Sequence, residues 1–237
     1  MYISSNPNNE MSQSILKMPD LVQIPDELRE SPREFQELMM MYTCAIREVK
    51  TKLEVLNDEL TVKNRRNPIE MIKFRVKNPF SIVEKLKRRN LPVDLNSISN
   101  NLDDVAGIRV ICPFLDGIYE VAQMLKRQDD VRVIAEKDYI KKPKDNGYRS
   151  YHLIIEIPVF FSEKKQPMRV EVQIRTIAMD FWASLEHQLK YKKEFVNSQE
   201  VERQLRECAD VIANTDKQML DIRKNIESRG VEVRKPK

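Results

Sequence analysis

Acidic residues at two points of the sequence could bind a divalent cation. Asp103 and Asp104 lie just before the predicted strand Gly107 to Cys112, and Glu171 lies within the alternating segment Arg169 to Thr176. Mg²⁺ is usually held by one or two carboxylates together with the phosphates of a substrate. Asp104 and Glu171 are therefore candidate Mg²⁺ ligands, although an acidic pair before a strand could equally form a turn or a helix cap.

Basic and hydroxyl side chains that could hold a polyphosphate occur close together earlier in the chain. Arg75 and Lys77 lie on one side of an alternating segment that predicts a strand. Ser81 and Lys85 are one turn apart in the helix that should follow, and backbone N–H groups at the start of a helix attract anions. This grouping favours a phosphate site, whereas Lys87 to Arg89 at the helix end are interpreted as a solvated face.

The segment from Lys144 to His152 combines a turn signal with aromatic and basic side chains. Asn146-Gly147 predicts a turn, after which Tyr148 and His152 should lie on one face of a strand. A tyrosine beside lysines can stack on a nucleobase while the lysines bind phosphate. The alternative is a hairpin turn with aromatic pairs across its strands.

Polar side chains form one face of each of two predicted strands. Glu171, Gln173 and Arg175 alternate with branched apolar residues, and Arg109 points opposite to Ile108. A row of Glu, Gln and Arg has a poor strand propensity. It suits the floor of a polar binding site, and an ordinary amphipathic strand is the alternative.

The elements that would position these residues follow from the hydrophobic periodicity. Expected strands are Ile72 to Val76, Gly107 to Cys112, Val131 to Ala135, Tyr148 to Ile157 and Arg169 to Thr176, with a polar turn around Glu163 to Gln166 between the last two. Expected helices are Ser31 to Leu60, Pro79 to Arg89, a helix capped by Asp116 through Arg127, Ala178 to Leu189, and a last helix capped near Asn197 or Ser198 that continues to Ile226. The pattern predicts an α/β (α+β) fold, with a mixed sheet of about five strands flanked by helices.

Composition excludes several classes of protein. The 237 residues include two His and three scattered Cys, which argues against multi-histidine metal centres, disulfide frameworks and CxxC zinc sites. Four Gly are too few for the tight turns of a β-sandwich or barrel. No apolar run approaches a membrane span, and the polar N-terminus lacks a signal peptide. We therefore expect a cytoplasmic protein without a membrane partner.

Four motifs occur in order between about residues 35 and 195. They are Arg75-Val76-Lys77 with Ser81 and Lys85, Asp104-Val105-Ala106-Gly107-Ile108-Arg109, Asn146-Gly147-Tyr148-Arg149-Ser150-Tyr151-His152, and Glu171-Val172-Gln173-Ile174-Arg175-Thr176. Phe181 to His187 follows in the same pattern. Together these motifs resemble the synthetase domain of RelA/SpoT proteins. With two histidines and about 68 residues before the first strand, a histidine-aspartate hydrolase domain is not expected. The chain resembles the single-domain small alarmone synthetases.

The resemblance implies a nucleotidyltransferase-like fold and the activity of a GTP diphosphokinase. Such an enzyme transfers the β,γ-pyrophosphate of ATP to the 3′-OH of GDP or GTP, and yields AMP and the stringent-response alarmones ppGpp or pppGpp. The implied cofactor is Mg²⁺, held by Asp104. Glu171 would assist the metal or act as the general base toward the 3′-hydroxyl.

The same resemblance implies roles for the other motif residues. Arg75 and Arg109 would flank the adenine of ATP. Its phosphates would be held by Lys77, Ser81 and Lys85. Tyr148 would stack on guanine, and the remaining residues would surround the acceptor nucleotide or line the site: Lys144, Asn146, His152, Gln173 and Arg175.

The expected organisation is a flexible lead-in (1–30), a single synthetase domain (31–229) and a basic tail (230–237). The motif core spans 69–192, and the terminal helices span 31–61 and 197–229. The resemblance implies a homotetramer assembled through these helices, and intramolecular packing of their apolar stripes is the alternative. Regulation by bound (p)ppGpp or by RNA is left open. Two other functions remain: a non-catalytic RNA-binding protein, and a nucleotidyltransferase that releases pyrophosphate.

Overall fold

The computed structural model describes residues 25–29, 31–64, 67–191 and 198–228. The predicted lead-in up to residue 24, the basic tail, Arg65 and Arg66, and the alternative helix cap Asn197 lie outside these ranges. A short 3₁₀ helix, Asp26–Leu28, precedes the first long helix.

The described residues contain six α-helices and five strands. The helices are α1 (Pro32–Asn64), α2 (Pro79–Arg88), α3 (Leu95–Asn101), α4 (Leu115–Lys126), α5 (Ile177–Tyr191) and α6 (Ser198–Ser228). The strands are β1 (Met71–Val76), β2 (Ala106–Cys112), β3 (Arg132–Asp138), β4 (Tyr151–Phe160) and β5 (Lys165–Thr176). They form one mixed sheet in the order β1-β2-β5-β4-β3. The predicted α/β class with about five strands is confirmed.

Side-chain caps fix the starts of two short helices. Asn78 Oδ1 accepts a hydrogen bond from Phe80 N at 2.9 Å, and Pro79 occupies the first turn of α2. Asp94 Oδ1 accepts one from Ser97 N at 2.6 Å and starts α3. The periodicity did not predict α3, because a helix of seven residues shows too few turns for an apolar stripe.

One predicted cap is wrong. Helix α4 begins at Leu115 after Phe114, so Asp116 is the second helical residue and not the cap. The Asp116 carboxylate accepts a hydrogen bond from Gly117 N and pairs with Arg223 of α6. An aspartate in the first turn also suits the positive end of the helix dipole.

Several strand boundaries differ from the prediction. Strand β3 continues to Asp138, three residues further than expected. Strand β4 begins at Tyr151, so Tyr148 lies before the strand and not on its face. Strand β5 begins at Lys165, four residues before the predicted start at Arg169. The reason is that Phe161 N donates a hydrogen bond to Lys164 O, which closes the turn early.

The chain divides into two compact units. The first contains Met1–Val49, Phe74–Gly107 and Glu156–Glu171, and its fully buried side chains include Phe35, Ile82 and Leu102. The second contains Lys50–Lys73, Ile108–Ile155 and Val172–Lys237, and its buried side chains include Ile118 and Leu153. None of the helices in the described ranges combines the length and apolar character needed to span a membrane.

The apolar faces of the central strands are buried as their alternation predicts. Val170, Val172 and Ile174 of β5 have no exposed surface, and neither does Val110 of β2. Burial of these branched side chains fixes the register of the strands, because a shift by one residue would place the polar face in the core. The opposite face of each strand is thereby left to carry the polar residues.

Candidate active site

In the first unit, the carboxylate of Asp104 lies between two lysine side chains. Lys77 Nζ is 3.1 Å from Asp104 Oδ2, and Lys85 Nζ is 2.7 Å from Asp104 Oδ1. All three side chains are only 16% exposed. The structure thus brings together a predicted metal ligand and two predicted phosphate-binding lysines.

The positions of the two lysines follow from a strand and a helix. Lys77 follows β1, and its backbone N–H donates to Val105 O at 2.8 Å, which aligns it with the residue after Asp104. Lys85 lies in the last turns of α2. The position of Lys77 is therefore set by a backbone hydrogen bond directly after a strand, and that of Lys85 by a capped helix.

The ion pairs keep the Asp104 carboxylate charged. Its burial acts to raise the pKa of Asp104, but the nearby positive charges of Lys85 and Lys77 outweigh burial, so that pKa lies below its ordinary value. Asp104 Oδ1 is buried, and the contact with Lys85 lacks the angles of a hydrogen bond. An ionised oxygen with spare coordination capacity fits a hard cation.

The available side chains also limit which kind of metal ion this cluster could hold. Within the described residues, no group of three or more His, Cys, Asp or Glu side chains could hold a metal ion. A cation with protein ligands alone, such as structural zinc, would need such a group. A cation that takes substrate phosphates as further ligands does not, so the residues present fit Mg²⁺.

The other predicted residues of the first unit occupy strand and helix positions. Arg75 is exposed on β1, and its side chain passes Gly107, where an added Cβ would lie 3.6 Å from Arg75 Cγ. Ser81 is half-buried in the first turn of α2. Glu171 is half-buried in β5, which neighbours β2 in the sheet.

In the second unit, the Tyr148 hydroxyl lies at the centre of a polar network. It accepts a hydrogen bond from Arg175 Nη2 at 2.5 Å and lies 2.8 Å from His152 Nε2. The rings of Tyr148 and His152 meet edge to face, with centroids 5.9 Å apart. Tyr148 and His152 are therefore neighbours even though only His152 belongs to β4.

Arg175 is the most buried charged side chain of this network. Its exposed fraction is 3%, and it donates to Gln173 Oε1 at 2.8 Å and to Ser150 Oγ at 3.3 Å. Burial lowers the pKa of Arg175, and the Tyr148 hydroxyl partly opposes this effect. The polar face of β5 thus holds the Tyr148 hydroxyl in place through Arg175.

Lys144 and Asn146 shape the turn before Tyr148. Lys144 N donates to Tyr148 O at 3.2 Å, and Asn146 Oδ1 accepts from Tyr148 N at 3.2 Å. The Lys144 ammonium lies 4.8 Å from the centroid of the Tyr148 ring. Asn146 Nδ2 also donates to Glu186 Oε1 of α5 at 3.0 Å, which anchors the turn.

Paired lysines beside a carboxylate, and an aromatic ring with basic neighbours, are side-chain groupings that can bind nucleotides. The family model described as "Region found in RelA / SpoT proteins" matches residues 74–195. GTP pyrophosphokinase YwaC of Bacillus subtilis (strain 168) is 39% identical over 202 residues, which cover 85% of this chain and 96% of that protein. This chain belongs to the RelA/SpoT family.

Solved structures support the RelA/SpoT assignment along most of the chain. Small alarmone synthetase 1 from Bacillus subtilis, bound to its product pppGpp, superimposes with a TM-score of 0.74 at 34% identity. The match covers 82% of this chain and 98% of that structure. The same enzyme bound to AMPCPP gives a TM-score of 0.69 at 31% identity and covers 83% and 99%.

Two residues of this RelA/SpoT chain that the sequence reasoning missed contact the predicted ones. Asp180 of α5 pairs with Arg109 and Arg175. The Tyr139 ring meets the His152 ring edge to face at 5.2 Å. Asp180 could have been recognised as an acid between the apolar residues Met179 and Trp182.

The apolar side chains of α5 in this RelA/SpoT chain do not all lie on its buried face. Trp182 is buried, but Phe181, Leu185 and Leu189 are 59%, 42% and 53% exposed. The helix instead buries Met179 and Asp180. Because Asp180 pairs with Arg109 and Arg175, the side of α5 that carries it is buried. The apolar stripe of Phe181, Leu185 and Leu189 remains exposed.

Proposed function

We propose that this chain is a GTP pyrophosphokinase of the small alarmone synthetase type. It transfers the β,γ-pyrophosphate of ATP to the 3′-hydroxyl of GDP or GTP, and yields AMP and ppGpp or pppGpp. The observation that carries the proposal is the match to YwaC, which extends over 96% of that GTP pyrophosphokinase. With two histidines, the chain also lacks the residues for a histidine-aspartate hydrolase, so synthesis without hydrolysis is proposed.

The ATP phosphates are assigned to Lys77, Ser81 and Lys85 in the first unit. The two lysines already lie within 3.1 Å of the Asp104 carboxylate, and they can exchange this contact for phosphate oxygens. Asp104 would then hold Mg²⁺ together with those oxygens. The metal, when bound, neutralises charge on the transferred group, which is the main requirement of phosphoryl-type transfer.

The adenine of ATP is assigned to Arg75 and Arg109. A guanidinium plane stacks on an aromatic ring and keeps its charge at any physiological pH. Arg109 Nε is buried without a hydrogen-bond partner in the described residues, while Arg109 Nη1 is held by Asp180 at 3.0 Å. This partial fixation orients the guanidinium plane and leaves capacity for a base.

The guanine nucleotide is assigned to Tyr148 and its neighbours. A guanine that stacks on the Tyr148 ring would replace the Lys144 ammonium, which lies 4.8 Å from the ring centroid. Lys144 is exposed, so it can move toward a phosphate of the acceptor. Asn146 and His152 are assigned to polar edges of the nucleotide, and Gln173 and Arg175 to the support of Tyr148.

Glu171 is assigned to the acceptor hydroxyl or to the metal. A carboxylate within hydrogen-bond reach of the 3′-hydroxyl can accept its proton as the bond to the β-phosphorus forms. The rest of the catalysis is in-line positioning and charge neutralisation by the lysines and arginines.

The test uses purified protein, Mg²⁺, GDP or GTP, and ATP labelled at the γ-phosphate. The proposal expects label in a guanosine tetra- or pentaphosphate, with an equal amount of AMP. Labelled pyrophosphate would instead show nucleotidyl transfer. No transfer with either acceptor, together with salt-sensitive binding of RNA, would favour the RNA-binding alternative.

A homotetramer formed through the terminal helices belongs to the same proposal. Its support is the set of exposed apolar side chains on α6, where Met219, Ile222 and Ile226 are 50%, 52% and 42% exposed. Their spacing places them along one face of the helix. A second copy of the chain would cover this face.

A further inference from the structure

Asp180, a nearly buried carboxylate of α5, binds three cationic side chains in the second unit. Asp180 Oδ1 accepts from Arg109 Nη1 at 3.0 Å and from Arg175 Nη1 at 3.4 Å. Asp180 Oδ2 accepts from Lys73 Nζ at 2.9 Å. Asp180 itself is 7% exposed.

The three cations come from three neighbouring strands. Lys73 belongs to β1, Arg109 to β2 and Arg175 to β5, and these strands are adjacent in the sheet. Like charges on adjacent strands repel one another. Asp180, in the first turn of α5, supplies the negative charge that lets them lie side by side.

The shared oxygen of Asp180 joins two otherwise separate groups. On one side lies Arg109, which the proposed function assigns to adenine. On the other side Arg175 uses its second terminal nitrogen, Nη2, to hold the Tyr148 hydroxyl at 2.5 Å. One carboxylate oxygen therefore fixes the guanidinium of Arg109 directly and the ring of Tyr148 through Arg175.

We propose that Asp180 is a positioning residue that orients Arg109 and Arg175 together, and so aligns the groups that bind the donor and the acceptor nucleotide. The inference rests on the proposed function. It predicts that loss of the Asp180 charge weakens binding of both nucleotides, although Asp180 touches neither.

The primary variant is Asp180→Asn, which keeps the shape of the side chain and removes its charge. The expected result is a rise of about tenfold in KM for both ATP and GDP, since hydrogen bonds to charged groups contribute on that order. The matched control is Asp116→Asn, which breaks another aspartate–arginine pair of the same unit, with Arg223. The control should keep both KM values within about twofold.

Double variants separate positioning from a general loss of structure. In an Arg109→Gln background, Asp180→Asn should leave the KM for ATP unchanged and still raise the KM for GDP. A Tyr148→Phe background lacks the hydroxyl that Arg175 holds. In that background, Asp180→Asn should no longer raise the KM for GDP. If Asp180→Asn raises each KM by the same factor in both backgrounds as in the wild type, the inference is overturned.

A second variant decides the case in which Asp180→Asn does not fold. Asp180→Glu keeps the charge and displaces the carboxylate by one methylene, so positioning predicts raised KM values for both nucleotides. Wild-type KM values in Asp180→Glu, or in a folded Asp180→Asn, would overturn the inference. Absence of transfer in the wild type and in Asp116→Asn would refute the proposed function itself, and the inference with it.

Discussion

At the scale of single residues, Asp104 shows how a largely buried carboxylate can be kept charged. Two lysines surround it at 3.1 and 2.7 Å, and their charges lower its pKa against the effect of burial. The same lysines are assigned to the phosphates of ATP. Nucleotide and metal would therefore replace interactions that exist in the protein alone, so no buried charge is left without a partner.

The first prediction concerns Asp104→Asn. The amide keeps the size of the side chain but cannot neutralise Mg²⁺ or pair with both lysines, so alarmone synthesis should fall by about two orders of magnitude or more. Turnover is measured with γ-labelled ATP. Asp103→Asn is the control, because Asp103 pairs with Arg169 at 3.1 Å and has no proposed role. Near-normal turnover in Asp104→Asn would remove the metal assignment.

The second prediction concerns Tyr148. Tyr148→Ala removes the stacking surface, worth about 1–3 kcal/mol per base, so the KM for the guanine nucleotide should rise while the KM for ATP stays nearly constant. Tyr148→Phe keeps the ring and loses only the contacts with Arg175 and His152. Its acceptor KM should fall between those of wild type and Tyr148→Ala. An acceptor KM equal in wild type and Tyr148→Ala would contradict the stacking role.

At the scale of elements, helix α6 supports the turn that carries the residues assigned to the acceptor nucleotide. Arg149 Nη1 donates to Gly147 O and to Ala209 O, and Arg149 Nη2 pairs with Asp210 at 2.7 Å. Gly147 has a φ of 86°, which favours glycine. The turn therefore depends on both its own backbone conformation and its contact with α6.

The third prediction tests this support with Gly147→Ala. An added Cβ would lie 2.6 Å from Ala209 Cβ and 3.2 Å from Arg206 Cα, and a positive φ disfavours alanine by about 1–2 kcal/mol. The melting temperature should fall and the acceptor KM should rise. Adding Ala209→Gly relieves the clash but not the backbone strain, so it should restore only part of the loss.

Gly117→Ala is the matched control for this prediction. Gly117 lies in α4, and its added Cβ would meet Cys112 Cβ and Pro68 O at 3.5 Å, an ordinary contact distance. Alanine is also the better helix former. A melting temperature equal to or above that of wild type is expected. An equal loss in both variants would show that the contact with α6 does not matter.

The fourth prediction concerns Asp216, through which α6 contacts the end of β5. Thr176 Oγ1 donates to Asp216 Oδ2 at 2.6 Å, and both residues are buried. Burial raises the pKa of Asp216 above its ordinary value of 3.8, although Thr176 partly opposes this. The folded state therefore holds the Asp216 proton more tightly than the unfolded state does. The resulting contribution to the free energy of unfolding is complete below the ordinary pKa and is lost as the pH rises through the raised pKa of the folded state.

The measurement is the melting temperature of wild type and Asp216→Asn across pH. Asparagine cannot ionise, so the melting temperature of the variant relative to wild type should increase from acid to neutral pH. Asp221→Asn, at an exposed position of the same helix, is the control for the loss of one negative charge from α6. A difference between Asp216→Asn and wild type that is constant with pH would contradict the prediction.

At the scale of the whole molecule, the last two helices, α5 and α6, carry apolar residues that the single chain leaves exposed. On α6 these are Val211, Met219, Ile222 and Ile226, and on α5 they include Phe181, Leu185 and Leu189. Scattered exposed apolar residues are common. Stripes at helical spacing are more typical of an interaction surface.

The fifth prediction replaces part of the α6 stripe. Met219→Glu with Ile222→Glu would place two charges on a face proposed to contact another copy, so the mass in solution should fall below that of the wild-type assembly. Light scattering after size exclusion measures this mass. Phe160→Glu is the control, because Phe160 is 72% exposed but lies outside the terminal helices. A monomeric wild type would exclude the homotetramer.

The sequence by itself determined the class of fold and the family. Strand alternation, helical spacing and four ordered motifs are local patterns, and local patterns suffice to predict five strands and the long helices. They also suffice to identify Asp104, Lys77 and Lys85 as candidates. The short helix α3 and the exact start of β4 were missed, because caps and turn hydrogen bonds set them and periodicity does not record these.

Only the tertiary structure decided which charges share a partner and which face of a helix is buried. Asp180 meets cations from three strands that are distant in sequence, and Gly147 meets Ala209 of α6. The apolar stripe of α5 is exposed because its buried face follows Asp180 and Met179. Such arrangements depend on the order of strands in the sheet and on the docking of helices. Pairing over long sequence separations sets both, so no local pattern encodes them.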